Sequence, residues 1–242
     1  MIRKDFLEKY ALKNQTSFLN VAREYLQHSF LASFYKQKGS ENFLFKGGTA
    51  LRLVFGSPRF SEDLDFSGIR NGVNFENVLI EVLGDLTKEG FQIELKESKP
   101  TAGGFLAILA VNLFGLDFEL FQEVSFRSTK FLKEELALVS SEIMPAYRIY
   151  LLSREILVAE KLDALLTRQK PRDFFDLYYI FRNHQLHQVL KLDSDSAEKI
   201  IEFLAKQDKK KINQELKNLL PISFWPIIKD LPKALKAELG KS

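Results

Sequence analysis

At 242 residues, with 35 Lys/Arg against 32 Asp/Glu and a formal net charge of +3, the chain is long enough for one or two domains with a sizeable buried core. Its 45% hydrophobic and 28% charged content excludes wholesale disorder. The complete lack of Cys excludes disulfides, thiolate zinc sites, iron–sulfur clusters and a Cys nucleophile, in keeping with a cytoplasmic protein.

The first residues, Met1-Ile2-Arg3-Lys4-Asp5-Phe6, turn charged at once and lack the apolar run of a signal peptide. Residues 3–38 carry apolar positions at helical spacing, among them Phe18, Val21, Ala22, Tyr25, Leu26 and Phe30, and end at Gly39-Ser40, so a helical lead-in is predicted. Asn42 to Lys46 reads as a short strand, Gly47-Gly48 as a turn into a helix over Thr49–Phe55, and Gly56-Ser57-Pro58 as its break. A second strand is predicted over Asp63–Phe66, an amphipathic helix over Phe75–Lys88, and strands over 91–96, 105–113 and 116–121, the last two joined as a hairpin by Phe114-Gly115. The uncharged stretch from Pro100 to Leu116 is interrupted by Gly103, Gly104, Asn112 and Gly115. It falls short of a membrane span and reads as buried strand.

Weak strand character persists to about Leu151, and from Ser153 the pattern is helical throughout. Helices are predicted over 153–168, 171–183, 197–206, 211–219 and 229–239. Charge divides in the same place. Residues 1–150 hold 18 basic and 19 acidic side chains, and residues 151–242 hold 17 and 13, a bias too mild to define a polyanion partner. His28, His184 and His187 are too few for a His-built metal centre, Lys209-Lys210-Lys211 reads as a solvated helix start, and Trp225 as a packing anchor.

The chemistry concentrates in Phe45-Lys46-Gly47-Gly48-Thr49-Ala50-Leu51 and Arg59-Phe60-Ser61-Glu62-Asp63-Leu64-Asp65-Phe66. A double Gly between strand and helix lets the main chain approach a ligand closely, next to N–H groups suited to phosphate. Asp63 and Asp65, two apart on a strand, share a face, and adjacent carboxylates repel unless a cation joins them. The pair is therefore a natural magnesium site facing phosphates, with Arg59 adding charge and Ser61 orienting the turn. On the next two helices, Lys161 and Arg168 share a face, as do Arg172 and Asp176. An i,i+4 salt bridge with Asp173 favouring the helix start after Pro171 accounts for that set without any catalytic role.

These motifs resemble the polymerase-β-type nucleotidyltransferase superfamily, and specifically the AbiEii-type toxins of type IV toxin–antitoxin systems. The Gly-Gly-Thr/Ala-x-Leu turn is matched by Gly47, Gly48, Thr49 and Leu51, and Arg-x-Ser-x-Asp-Leu-Asp-Phe by Arg59, Ser61, Asp63, Leu64, Asp65 and Phe66. Lys161, Asp163, Ala164 and Arg168 match a Lys-x-Asp-Ala-x3-Arg element, and Arg172, Asp173, Asp176 and Leu177 an Arg-Asp-x2-Asp-Leu element. The resemblance implies an α/β fold, with a nucleotidyltransferase domain over residues 1–150 and a helical domain over 151–242 closing the cleft. It further implies catalytic Asp63, Asp65, Lys161 and Asp176, nucleotide contacts from Lys46, Gly47, Gly48, Thr49, Arg59, Ser61 and Arg172, and magnesium, or manganese in its place. A third acidic ligand is expected from a neighbouring strand. Asp117, set between apolar residues of a core strand where an unpaired carboxylate is costly, is assigned to it, with Glu119 as the alternative.

The implied reaction moves a nucleoside monophosphate from a nucleoside triphosphate to an acceptor with release of pyrophosphate. GTP and the pyrimidine triphosphates rank ahead of ATP, and RNA, particularly the tRNA 3′ end, is the expected acceptor. The expected setting is growth inhibition or phage abortive infection, with a winged-helix antitoxin as partner and no membrane. A protein or small-molecule acceptor, or a GTP-binding module without catalysis, are the alternatives.

Overall fold

A computed structural model describes residues 1–69, 74–126 and 132–240. By packing the chain forms two units, one of residues 1–56 and 60–152 and one of residues 57–59 and 153–242.

The first unit opens with α1 (Lys4–Lys13) and α2 (Phe18–Phe34), so the predicted lead-in is two helices. Ser17 restarts the chain by accepting the Asn20 N–H as an N-cap. The order continues with β1 (Phe43–Lys46), α3 (Gly47–Leu53), β2 (Leu64–Gly68), α4 (Phe75–Lys88), β3 (Gln92–Thr101), β4 (Gly104–Leu113), β5 (Leu116–Ser125), β6 (Glu134–Val139) and β7 (Tyr147–Leu152). Phe114 and Gly115 link β4 to β5 with φ of 57° and 82°, the paired positive values that a two-residue hairpin turn demands. Strands β3 and β5 outrun their predicted lengths because each pairs along its whole length with β4.

The seven strands form one mixed sheet in the order β3-β4-β5-β2-β1-β7-β6. β2 runs parallel to β5 and β1 parallel to β7, and the remaining pairs are antiparallel. Phe45 and Phe66 are register partners with ring centroids 5.7 Å apart, and they join Phe34, Phe43 and Phe75 in an aromatic core. Phe34 lies 5.1 Å from Phe66 and 5.6 Å from Phe75, so α2 is held to the sheet by rings worth about 1.5–3 kcal/mol each when fully buried. Because strand side chains alternate, committing Phe45 and Phe66 to this core turns Lys46 and Asp65 to the other face.

The second unit is helical, as the periodicity indicated. It comprises α5 (Arg154–Arg168), α6 (Pro171–Arg182), α7 (His184–His187), α8 (Ser194–Ala205), α9 (Lys209–Leu219) and α10 (Trp225–Leu239). Its own core joins Leu165, Phe174, Phe175, Leu204, Leu216 and Leu231. α8 and α9 begin earlier than predicted because Asp193 and Asp208 cap them, accepting from the Ser196 and Lys210 N–H groups. Trp225 is the anchor expected of it, donating Nε1–H to the Leu220 carbonyl beneath Lys217. Among the described residues no helix is long and apolar enough to cross a membrane.

Candidate active site

In the first unit, β1 delivers Lys46 opposite Asp65 and the chain turns at once into α3. Gly47 takes φ +83°, and a Cβ there would fall 1.9 Å from Asp65 Oδ2. Only Gly fits, and its main chain packs directly against that side of the carboxylate. Leu64 is fully buried between Asp63 and Asp65, which leaves both carboxylates half-buried on one side of the chain. Thr49 Oγ1 donates to the Asp63 carbonyl at 2.5 Å, tying α3 to the start of β2. The preceding turn is held from α2, where Gln27 Nε2 donates to the Ser61 carbonyl at 3.0 Å and Arg23 pairs with Glu62 at 3.0 Å.

Two expectations change here. Thr49 is wholly buried and its hydroxyl serves the scaffold, so it does not offer a phosphate contact from its side chain. α3 runs over Gly47–Leu53, so the helix expected over Thr49–Phe55 begins at the double glycine itself and ends two residues sooner.

The third acid also moves. Asp65 is in parallel register with Glu123 of β5, an exposed residue on the same face of the sheet. Asp117 lies six residues back along β5, about 20 Å away at strand rise, where it accepts from Asn112 Nδ2 at 2.6 Å beside the hairpin turn. Glu119, about 13 Å from Glu123, pairs with Lys96. Neither comes alongside Asp65. Glu123 went unassigned because its register with β2 arises from a parallel pairing between strands far apart in sequence; the alternation of Leu120, Gln122 and Val124 with exposed Glu123 was the available signal. Among the described residues no three acidic or His side chains converge into a formed metal cluster. The donor chemistry still suits a hard divalent cation: Asp63, Asp65 and Glu123 offer oxygen alone, the ligand that magnesium and manganese prefer.

In the helical unit, the residues predicted to be catalytic form a buried ion cluster. Asp176 receives Arg59 Nε at 2.7 Å and Arg59 Nη2 at 2.9 Å, and Lys161 Nζ at 2.8 Å. Asp176 is 1% exposed, Arg59 3% and Lys161 10% by side chain. Burial would raise the Asp176 pKa, but Arg59 and Lys161 outweigh it and hold the carboxyl down to about 2. Burial pushes the Arg59 guanidinium down, while Asp176 more than offsets this, so its pKa is raised. Arg59 therefore spends its fork on Asp176, which also receives Lys161 Nζ.

Arg168 grips Asp173 through Nη2 at 2.8 Å and Nε at 3.0 Å. Asp173 also accepts from the Lys170 N–H at 3.1 Å, capping α6 behind Pro171, the structural role its spacing suggested. Two ion pairs, Lys161–Asp176 and Arg168–Asp173, thus join α5 to α6. Arg172 faces Glu215 of α9 at 3.9 Å, so the expected Arg172–Asp176 bridge is replaced by bonds from Arg59 and Lys161.

Three solved structures share this fold. MenT4, a nucleotidyltransferase toxin of Mycobacterium tuberculosis H37Rv, superposes with a TM-score of 0.67 at 18% identity over 100% of this chain and 91% of that one. A nucleotidyltransferase described from Helicobacter pylori gives 0.56 at 22% over 93% and 98%. JHP933, also from H. pylori, gives 0.57 at 23% over 93% and 95%. At these identities the likeness defines the fold. The chain belongs to the AbiEii family, whose profile, described as nucleotidyl transferase AbiEii toxin of type IV toxin–antitoxin systems, matches residues 29–239. It is thus a nucleotidyltransferase of a toxin family, for which a nucleotide substrate and an antitoxin partner follow. No match was found among curated proteins.

Proposed function

We propose that this protein transfers a nucleoside monophosphate from a nucleoside triphosphate to the 3′ end of an RNA, most readily a tRNA, releasing pyrophosphate. The observation that carries this reading is the close contact of Gly47 with the Asp65 carboxylate, in register with Lys46, which gathers a tight glycine turn, a lysine and an acidic strand residue in one place. A magnesium or manganese ion held by Asp63 and Asp65, with Glu123 beside them, would supply charge neutralisation at the triphosphate and polarise the acceptor oxygen. Lys46 and the Gly47-Gly48 main chain bind phosphate oxygens. In the helical unit Asp176 orients Lys161, the cation that the family motif assigns to phosphate. The acceptor hydroxyl attacks the α-phosphorus, the bond to the β-phosphate breaks, and the hydroxyl proton leaves to solvent.

GTP and the pyrimidine triphosphates are the first donors to test. The biological setting would be growth arrest or phage abortive infection in the cytoplasm, relieved by a winged-helix antitoxin. Incubating the protein with magnesium, each α-phosphate-labelled triphosphate and total RNA, beside an Asp63→Ala control, tests this reading. Label should enter RNA with the wild type and vanish in the control. Label entering only protein or small-molecule acceptors would refute an RNA acceptor, and identical behaviour of both proteins with every acceptor would refute the enzyme.

A further inference from the structure

The positive charge of this chain is concentrated in one helical hairpin that the transfer chemistry does not use. Residues 209–242 hold eight Lys against three Asp/Glu, net +5, while the whole chain is only +3. Lys209, Lys210 and Lys211 open α9, and Lys229, Lys233 and Lys236 recur on α10 at i, i+4 and i+7, a stripe with successive Cα spacings of about 5–6 Å along the axis. All six are exposed, and none has an acidic partner among the described residues. Like charges set this close repel one another, which favours a polyanion that would relieve them.

Between the two helices lies a groove of about 180 Å³ lined by Lys209, Ile212, Asn213, Ile228, Lys229 and Pro232. Two acceptors in its walls lack their ordinary donors. Asn213 Oδ1 is buried with no hydrogen-bond partner. Pro232, inside α10, has no N–H to give the Ile228 carbonyl one turn earlier. A buried acceptor left unmade is costly, so the groove favours a ligand that brings neutral donors beside negative charge.

We propose that the α9–α10 groove and its lysine stripe are a docking surface for the backbone of single-stranded RNA, separate from the residues assigned to nucleotide transfer. Phosphates meet Lys209, Lys229 and Lys233, and a ribose 2′-hydroxyl donates to Asn213 Oδ1. The occupant is RNA and not an anionic bilayer, because Ile212, Leu216, Ile228, Leu231 and Leu235 are spent in the helical core and leave these helices no apolar face to insert. An acidic peptide supplies the charge but no side-chain donor with each anion.

The test is fluorescence anisotropy of a labelled oligouridylate with the full chain across a salt series. Wild type should bind with a steep salt dependence. The triple variant Lys209→Gln/Lys229→Gln/Lys233→Gln should bind about tenfold or more weakly at low salt, with the slope of log affinity against log salt shallower by about 2, as three lost phosphate contacts require. Asn213→Leu should weaken RNA more than the deoxy analogue. Thermal melts confirm that the variants fold, and the anisotropy is read without nucleoside triphosphate or divalent cation, so docking stands or falls apart from transfer. An unchanged RNA affinity and slope in the triple variant would overturn the proposal. So would a loss confined to phosphatidylserine vesicles or to polyglutamate.

Discussion

The two units keep their carboxylates in opposite circumstances. Asp63 and Asp65 are half-buried, with the Gly47 main chain packed against Asp65, whereas Asp176 is 1% exposed and closed in by two cations. A half-buried carboxylate pair keeps contact with solvent, from which a cation can come. A carboxylate sealed by Arg59 and Lys161 does not, and its work is to hold those two groups in place. Motifs that look equally catalytic in sequence thus divide into a half-buried acidic pair and a carboxylate sealed in an ion cluster.

The sharpest break of this comparison is Asp63→Ala, expected to reduce transfer about 10⁴-fold, equivalent to about 5 kcal/mol of barrier, with a melting temperature near that of the wild type. Initial rates and a thermal melt on one preparation check both halves. Asp176→Asn should do the reverse. Leaving Arg59 and Lys161 buried without a counter-charge costs about 3–5 kcal/mol of stability in urea unfolding, and Arg59→Met with Asp176→Leu should recover much of it.

Acid should separate the units by pH. His28 is buried against Tyr147, its Nδ1 2.8 Å from the phenol oxygen, and burial with Arg52 nearby lowers its pKa from 6.5 to about 4. The unfolded chain takes up this proton below pH 6.5 while the native chain does not until about 4, so up to about 3 kcal/mol is lost as pH falls through that window. The Asp176 contribution is present above the ordinary value of 3.8 and is lost only as pH drops towards 2. Melts from pH 7 to 3 should show the first loss, and His28→Gln should flatten it; an unchanged slope in that variant would assign the loss elsewhere. Gly47→Ala, strained by φ +83° and driven into Asp65, should cost about 2 kcal/mol of stability and most of the transfer, measured by melt and rate together. The smallest effect separates Glu123 from Asp117. Glu123→Gln should slow transfer about tenfold and shift its magnesium dependence, and Asp117→Asn should leave both unchanged.

Much of this site was legible before any coordinates. The Lys46-Gly47-Gly48 turn and the Asp63/Asp65 pair are set by strand alternation and by the one residue that tolerates the turn, both local properties. The α5 and α6 helices and the capping role of Asp173 were readable for the same reason. What stayed hidden depends on partners distant in sequence. Arg59 reads as a phosphate ligand until it is found 117 residues from its partner Asp176 in sequence and 2.7 Å from it in space. Periodicity puts Asp117, Glu119 and Glu123 on one face of β5 with equal merit, and only the parallel pairing of β5 with β2 brings Glu123 beside Asp65, six residues of strand rise from Asp117. The amino-acid sequence by itself therefore determined which residues could bind a nucleotide and a cation. The tertiary structure decided which carboxylates are sealed by cations and which lie in register with one another, since burial and register depend on which strands and helices become neighbours.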